Sequence, residues 1–429
     1  MALTGLLAGL SPTYLMLVLS LALIAGLPGS VSAQDLVIKN ARILDGVGGV
    51  IPNGTIVIRN GRILSVSEQP AEAEDAEVIN AAGMTVMPGF IDSHRHIIDG
   101  NPQHWLETRA VEEMRAFIEA GFTTVFSAGD PLEAILELRR RLAAGDILGP
   151  RLIVAGRVPL AQSSGPPGPP GADPARFDVS RPPDRPTEPA EAIPHEETRA
   201  QVRRLAEAGV DAIKTVMIAT PGGPETETLS VIVDEAGKHG LPTVTHAVSI
   251  QDMMAAVEAG TTSLAHTPHI GRFDETRRPD MVAAAGVPMM STLGVFVPRF
   301  DDNNRPIFRD GGPFPMNTLS SAGQGPVNAR RLWEAGVTYG FGTDTRFPPK
   351  ESLAHELRSL RPVFSRQDIV KIMGRNAAAT LGMEREIGTL SPGKRADIVM
   401  IDGDPLTDTD DLLNVEVVIK KGAIVVDKR

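Results

Sequence analysis

Two stretches near the ends of the chain alternate apolar and polar residues, which is the pattern of short strands with one buried face. "DLVIKNARILDG" and "GTIVIRNGRILSVS" begin at Asp35 and Gly54, and Asp-Gly and Asn-Gly pairs mark turns beside them. Short strand-like apolar runs with turn residues beside them recur near the other end, in "ADIVMIDGDPL" and "VEVVIKKGAIVVD". We therefore predict short antiparallel strands, and one composite β-sandwich domain built from residues 34–85 and 386–429.

In the centre of the chain the spacing of apolar residues is different. Eight short apolar runs alternate with helical patterns, most of which end in glycine. The runs are "MPGFIDSH", "TTVFSAG", "RLIVAG", "DAIKTVM", "PTVTHAV", "TSLAHT", "VPMMST" and "TYGFGTD". Strands that are buried on both faces and separated by helices indicate an α/β protein with a (β/α)8 barrel over residues 86–385. An open doubly wound sheet is the competing fold, although no G-x-G-x-x-G follows a first strand to favour it.

Residues 1–33 form a separate segment. "YLMLVLSLALIAGL" is an uninterrupted apolar run, and "GSVSA" ends at Ala33 with the small residues that a signal peptidase requires. We expect a cleaved export signal, and hence a periplasmic or secreted protein that does not associate with a membrane after cleavage. The alternative is an uncleaved N-terminal membrane anchor over residues 6–27, because no Lys or Arg precedes Lys39 in the sequence.

A segment rich in proline and glycine interrupts the barrel pattern at residues 163–194. Its composition excludes a helix or a central strand, and it follows the third predicted barrel strand, where barrels of this kind carry active-site loops. Two interpretations stay open, which are a solvated insertion and a lid over the substrate.

The composition of the chain limits which partners and which metal ligands are possible. The chain has 42 basic and 53 acidic residues, a net charge of −11, and no basic block of the kind that binds nucleic acid. We therefore expect a small-molecule substrate and no nucleic-acid partner. Cysteine is absent, so a metal ion would have to be bound by histidine, carboxylate or a modified lysine.

Two histidines in the first barrel strand lie on one face. Residues two apart on a strand point to the same side, so His94 and His96 both project into the barrel while Arg95 points away. Three further polar residues stand near the ends of other barrel strands, namely His246, His266 and Asp344. Because the carboxyl ends of barrel strands meet at one site, this grouping of imidazoles and a carboxylate predicts a metal centre.

Lys214 in "GVDAIKTVM" is a cation on a strand that should face inward, where an unpaired ammonium group is strongly disfavoured. Two explanations are open. The ammonium pairs with a carboxylate, or burial favours the neutral amine, which reacts with carbon dioxide and forms an anionic carbamate. The two oxygens of such a carbamate can bridge two metal ions.

Seven motifs follow one another along the chain: "PGFIDSHRH", "GVDAIK", "THAV", "LAHT", "GTDT", "NAAATLGM" and "IGTLSPGKRADIVMID". In these motifs the chain from about residue 35 to 429 resembles the amidohydrolase superfamily, in the branch of imidazolonepropionase-like and prolidase-like metal-dependent hydrolases. The resemblance implies two divalent metal ions, one bound by the histidine pair of "HRH" and one by the two later histidines. It also implies that carbon dioxide, as a carbamate on Lys214, bridges the ions. The six implied ligands are His94, His96, Lys214, His246, His266 and Asp344.

Zinc is the expected metal for such ligands, although manganese, iron or cobalt can occupy the same site. Two cations about 3.5 to 4 Å apart can hold a hydroxide and polarise a carbonyl. Asp344 would be the catalytic residue that accepts the proton and delivers it to the leaving group. The bond cleaved is expected to be an amide C–N bond, as in an N-acyl amino acid or dipeptide. An ester, lactone or organophosphate is the alternative, because specificity lies in loops, and a non-catalytic metal-binding or ligand-binding barrel is the remaining one.

Two residues are candidates for substrate contact. Arg346 stands two residues beyond Asp344, where it would clamp a substrate carboxylate unless it is solvated or salt-bridged. His269 lies three residues beyond His266, in a loop near the predicted centre. Many relatives carry a glycine-rich segment with a histidine where this chain has residues 163–194, so no contact is transferred there. The oligomeric state stays open, and a homo-oligomer is one arrangement.

Overall fold

The computed structural model of the protein describes residues 35–71, 75–162, 187–296, 299–300, 306–307 and 318–429. The expected export signal (1–33) and most of the proline-rich loop (163–186) lie outside these described residues, so both expectations stay predictions. Within the described ranges, no helix has the length and apolar character needed to cross a membrane.

The two ends of the chain build one mixed sheet. Its strands are β1 (Leu36–Leu44), β2 (Val50–Arg59), β3 (Arg62–Ser67), β4 (Glu77–Asn80), β5 (Thr85–Pro88), β16 (Ile398–Ile401), β17 (Val415–Lys420) and β18 (Ala423–Asp427). The order β18-β17-β16-β5-β1-β2-β3 joins C-terminal strands to the N-terminal segment through β5. The sequence predicted antiparallel strands only, but β1 pairs in parallel with β4 and β5. The free edge of β1 is reached by a crossover after β3, and a crossover connection produces parallel neighbours.

Alternating side chains of β16 belong to two different cores. Ile398 and Met400 join the apolar core of the terminal sheet. Val399 and Ile401 face the other way and belong to the large core formed by the barrel and its helices. The terminal sheet therefore packs on the barrel through one of its faces, and burial of both faces explains the continuous apolar run "IVMI".

Eight parallel strands form the barrel, which confirms the predicted fold. They are β6 (Phe90–Arg95), β7 (Phe122–Ser127), β8 (Arg151–Arg157), β9 (Ala212–Val216), β10 (Thr243–His246), β11 (Ser263–Ala265), β12 (Met289–Met290) and β15 (Tyr339–Gly340). Backbone N–H groups of Ser93 and Asp344 donate to the carbonyls of Phe341 and His94, at 2.9 and 2.8 Å. These bonds join the first strand to the last, so the open doubly wound alternative is excluded.

Helices flank the barrel strands. They are α1 (Pro102–Thr108), α2 (Ala110–Glu119), α3 (Leu132–Ala144), α4 (His195–Glu207), α5 (Glu225–Lys238), α6 (Ile250–Glu258), α7 (Pro279–Ala284), α8 (Thr318–Glu334), α9 (Pro349–Leu360), α10 (Arg366–Lys371) and α11 (Ala377–Thr380). Short 3-10 turns occupy Leu293–Val295 and Thr409–Leu413, a π-helical turn occupies Ile372–Asn376, and β13 (Arg299–Phe300) pairs with β14 (Pro306–Ile307). In α3, Ile135, Leu138 and Leu142 are buried at helical spacing, which is how an amphipathic helix packs on a sheet.

Candidate metal centre at the mouth of the barrel

Four imidazoles come together where β6, β10 and β11 end. The ring centres of His94 and His266 are 4.7 Å apart, and those of His246 and His266 are 4.3 Å apart. The rings of His94 and His96 are separated by 5.7 Å. His94 and His266 are fully buried, whereas the His96 side chain keeps 18% of its surface exposed and His246 is also partly exposed, so the site opens at these two histidines.

The carboxylate of Asp344 reaches three of these rings. Its Oδ1 lies 3.4 Å from Nε2 of His96 and 3.8 Å from Nε2 of His94, and its Oδ2 lies 3.6 Å from Nε2 of His266. Ligand atoms of His94, His266 and Asp344 all lie within 4.8 Å of one another, close enough to hold one metal ion. Imidazole nitrogens and carboxylate oxygens are the donors that zinc and related divalent ions prefer, so the residues fit such an ion.

Lys214 is buried in β9, with 3% of its surface exposed. Strand register places Lys214 opposite Val244 and Val216 opposite His246. Because side chains alternate along a strand, the Lys214 side chain projects on the same side of the sheet as His246, two residues deeper in the barrel. The structure thus places the lysine on the inward face, and the carbamate stays a prediction.

Three residues other than glycine adopt left-handed backbone conformations at this mouth. Their φ angles are 79° for His266, 41° for Thr292 and 43° for Asp344. Such conformations are uncommon for side chains with a Cβ, most of all for a β-branched threonine. They cost about 1–3 kcal/mol each and persist where the surrounding structure holds them, which is typical of functional sites. The three left-handed residues therefore lie at the same mouth of the barrel as the cluster of histidines.

Thr292, which none of the seven sequence motifs includes, orients one of the imidazoles. Its Oγ1 lies 2.8 Å from Nδ1 of His266. A hydrogen bond at Nδ1 determines ring orientation and leaves Nε2 of His266 directed at the centre. The only sequence signal is a Ser-Thr pair at the end of the seventh predicted barrel strand, and hydroxyl residues are common at strand ends.

Glu356 in α9 holds the chain on both sides of Thr292. Its carboxylate accepts hydrogen bonds from Oγ of Ser291 (2.6 Å) and from the backbone N–H groups of Leu293 (3.0 Å) and Gly294 (2.6 Å). Burial raises the pKa of Glu356 to about 7, and these three donors oppose that shift. A glutamate on a surface-type helix pattern carries no sequence signal for this role.

Two buried aspartates hold the backbone around the histidine pair. Asp92 accepts hydrogen bonds from the backbone N–H of His94 (3.1 Å) and from Oγ1 of Thr343 (2.7 Å). Burial raises the pKa of Asp92 to about 6, while the nearby positive charge of Arg95 opposes the shift. Asp130 accepts from the N–H groups of residues 97 and 98, directly after His96. Each histidine of the pair therefore stands beside a backbone segment that a carboxylate holds in place.

The two residues predicted to contact substrate, Arg346 and His269, differ in burial. Arg346 forms an ion pair with Asp99, and both line a small cleft that also contacts His96. His269 is 8% exposed, and its ring stacks on Phe296 with centres 3.4 Å apart. Burial lowers the pKa of His269 to about 3, so its ring is neutral near pH 7. Substrate contact by either residue stays a prediction.

The fold and the site together define a (β/α)8 protein with a buried cluster of histidine and carboxylate groups at the carboxyl ends of its strands. The sequence profile of the amidohydrolase family matches residues 85–425, and the chain belongs to this family. This confirms the resemblance drawn from the seven motifs, and with it the expectation of an enzyme of the amidohydrolase class.

Known proteins resemble the chain to different extents. An imidazolonepropionase from Shouchella clausii is 28% identical over 204 residues, which cover 46% of this chain and 40% of that protein. The chain thus matches less than half the length of this curated relative. A solved amidohydrolase structure is 25% identical, with a TM-score of 0.72 over 92% of this chain and 99% of its own. A Xaa-Pro dipeptidase with bound methionine in its active site is 22% identical, with a TM-score of 0.73 over 92% and 100%, a likeness of fold alone.

Proposed function

We propose that the protein is a metal-dependent hydrolase that cleaves an amide C–N bond in a small molecule, such as an N-acyl amino acid or a dipeptide. The observation that carries the proposal is the Asp344 carboxylate, which lies 3.4 to 3.8 Å from three imidazoles at the mouth of the barrel. Family membership supports hydrolysis. The choice of a C–N bond is supported by relatives whose names are imidazolonepropionase and Xaa-Pro dipeptidase.

Two divalent ions, zinc by default, would be held by six side chains, with Lys214 bridging the ions as a carbamate. The six are His94, His96, Lys214, His246, His266 and Asp344. When bound, the ions would supply Lewis-acid activation of water and of the substrate carbonyl. The tight group formed by His94, His266 and Asp344 also suits a single ion, so the number of ions per chain is a quantity to be measured.

Side chains of the protein would transfer the proton and position the metal ligands. Asp344 would accept a proton from the attacking water and deliver it to the leaving nitrogen. Thr292 keeps the His266 ring in one orientation. His94, His266 and Asp344 are buried, and the low local dielectric around them strengthens the charge interactions that they make. Substrate would enter on the exposed side of His96, where Arg346 lines the adjoining cleft.

One experiment tests this proposal. Metal content of the purified protein is measured by mass spectrometry, and hydrolysis is assayed with N-acyl amino acids, Xaa-Pro and other dipeptides, lactones, aryl esters and an organophosphate. We expect one or two divalent ions per chain and turnover of the amides. Turnover of only the esters, lactones or the organophosphate would refute C–N cleavage and keep the metallohydrolase. Bound metal without turnover of any compound would favour a binding protein.

A further inference from the structure

Arg95, the middle residue of "HRH", points away from the two histidines that flank it. Its side chain is 4% exposed, and the guanidinium carbon lies 5.2 Å from the centre of the Phe117 ring in α2. Burying a charged group in this way costs free energy unless its donors are used. Arg95 takes no part in the proposed hydrolysis, so its buried contacts require a separate explanation.

The Arg95 guanidinium bonds to the chain on both sides of Asp344. Its acceptors are Oγ1 of Thr343 (3.1 Å), Oγ1 of Thr345 (3.1 Å), Oγ of Ser352 (2.8 Å) and the carbonyl of Phe347. Thr343 and Thr345 are the two neighbours of Asp344 in the sequence. Nη1 of one arginine therefore connects the residue before the carboxylate to the residue after it, across 248 and 250 residues of chain.

Asp344 needs such support because of its backbone. Its φ of 43° lies in the left-handed region, which an aspartate adopts at a cost unless neighbouring bonds hold it. The N–H of Asp344 donates to the carbonyl of His94 at 2.8 Å, and the hydroxyl of Thr343 donates to Asp92 at 2.7 Å. These bonds hold the N-terminal side of Asp344. On the C-terminal side of Asp344, Arg95 donates to the hydroxyls of Thr345 and Ser352, which also bond to each other (2.7 Å). The Ser352 hydroxyl in turn lies 2.9 Å from the carbonyl of Phe347, which also accepts from Arg95.

Arginine suits this position better than lysine. A planar guanidinium presents five donors in a fixed fork, so it can hold several acceptors at once, whereas an ammonium is a single point of charge on a flexible stem. The carboxylates of Asp92 and Glu113 lie near enough to offset part of the cost of burying the charge. Both the geometry and the charge balance therefore favour a guanidinium here.

We propose that Arg95 is a positioning residue for Asp344. By holding Thr343 and Thr345 together, it keeps the left-handed Asp344 backbone in place and the carboxylate within reach of His96 and His266. The catalytic consequence rests on the proposed function, but the structural part, an ordered segment 343–347, does not.

Four variants test this inference. Arg95→Lys retains a buried cation that reaches fewer acceptors. Thr345→Val removes one hydroxyl at similar volume, and Thr345→Ser restores the hydroxyl. Arg151→Lys is the matched control, because Arg151 is a largely buried arginine at the start of β8 that pairs with Asp397 (2.8 Å) at the opposite end of the barrel.

Three measurements are made on each folded variant. Hydrogen exchange of residues 343–347 is followed in metal-free protein, the visible spectrum is recorded with bound Co²⁺, and kcat and KM are determined. For Arg95→Lys we expect faster exchange, a changed cobalt spectrum and a fall in kcat of about 10²-fold with little change in KM, as a small misplacement of a reacting group produces. Thr345→Val should show the same changes more weakly, and Thr345→Ser should recover wild-type values.

Several outcomes would overturn the inference. Wild-type exchange and cobalt spectra in a folded Arg95→Lys variant would do so, as would equal changes in Arg151→Lys, which would indicate a general loss of stability. If Arg95→Lys does not fold, the comparison of Thr345→Val with Thr345→Ser tests the inference instead. Equal hydrogen exchange and equal cobalt spectra in these two variants would refute the positioning role of Arg95. If the wild-type protein binds no metal and hydrolyses nothing, the proposed function fails, while the exchange of residues 343–347 still tests Arg95.

Discussion

Nδ1 of His266 lies 2.8 Å from Oγ1 of Thr292, and both residues have left-handed backbones. The contact joins the ends of the neighbouring strands β11 and β12. It leaves Nε2 of His266 facing Asp344, with 3.6 Å between Nε2 and Oδ2. A strained threonine thus determines the orientation of an imidazole that we propose binds metal.

Thr292→Val removes the hydroxyl while keeping the shape of the side chain. We expect metal affinity to fall about 10- to 100-fold, the usual effect of losing a hydrogen bond behind a ligating histidine. Competition titration with a chelating dye measures this. Thr292→Ser retains the hydroxyl and should bind metal like the wild type. Equal affinities for all three proteins would show that the His266 bond does not tune the centre.

Asp344→Asn should reduce kcat by about 10²- to 10⁴-fold, because the amide cannot accept the proton that the carboxylate accepts. The fold should persist, since asparagine tolerates the left-handed conformation well. Steady-state kinetics and thermal unfolding measure the two effects. Asp280→Asn makes the same chemical change at an exposed carboxylate and is expected to leave kcat unchanged. A fully active Asp344→Asn variant would refute the catalytic assignment.

Lys214→Ala should lose most of its metal and its activity together if a carbamate bridges the ions. Added acetate is expected to restore part of both, because a small carboxylate fits the space left by the longer side chain and offers two oxygens. Metal analysis and turnover with and without acetate measure this. Lys214→Met fills the space with apolar atoms and should not respond to acetate. Full turnover by Lys214→Ala would refute the carbamate.

Glu356 predicts a pH-dependent contribution to stability. Its pKa is raised from 4.5 to about 7 in the folded protein, so between these values the folded state binds a proton that the unfolded state has released. Stability from this group is fully present below about pH 4.5 and is lost as the pH rises through 7, by about 3 kcal/mol in total at about 1.4 kcal/mol per pKa unit.

Urea unfolding of the wild type and of Glu356→Gln between pH 4 and 8 measures the Glu356 contribution. The difference in unfolding free energy between the two proteins should change with pH in the stated direction, because other titrating groups cancel in the comparison. A difference that is constant across this range would contradict the raised pKa.

Arg346 and Asp99 predict opposite effects on substrate affinity. Arg346→Gln should raise KM about tenfold for substrates that carry a carboxylate, which is the loss expected for one exposed charge-assisted hydrogen bond. Asp99→Asn should lower KM for the same substrates, because it removes the carboxylate that now pairs with Arg346. Uncharged amide analogues serve as the control and should respond to neither change. Equal effects on charged and uncharged substrates would exclude the clamp.

The sequence by itself determined the elements and the location of the candidate site. Side chains alternate along every strand, so apolar runs separated by helical periods were sufficient to predict eight parallel barrel strands. The same alternation placed His94 and His96 on one face. Parallel strands of a barrel all end at one mouth, so His246, His266 and Asp344 could be assigned to a common place without knowledge of any distance between them.

Only the tertiary structure decided how these groups are held. The contacts of Arg95 with Thr343, and of Glu356 with Ser291, join positions 248 and 65 residues apart in the chain. Local periodicity cannot indicate such pairs, since a buried polar group requires a partner but does not specify which one. The parallel pairing of β1 with β4 was missed for the same reason. Which distant segments become neighbours, and which backbones are thereby kept in a left-handed conformation, depends on the closed packing of the whole chain.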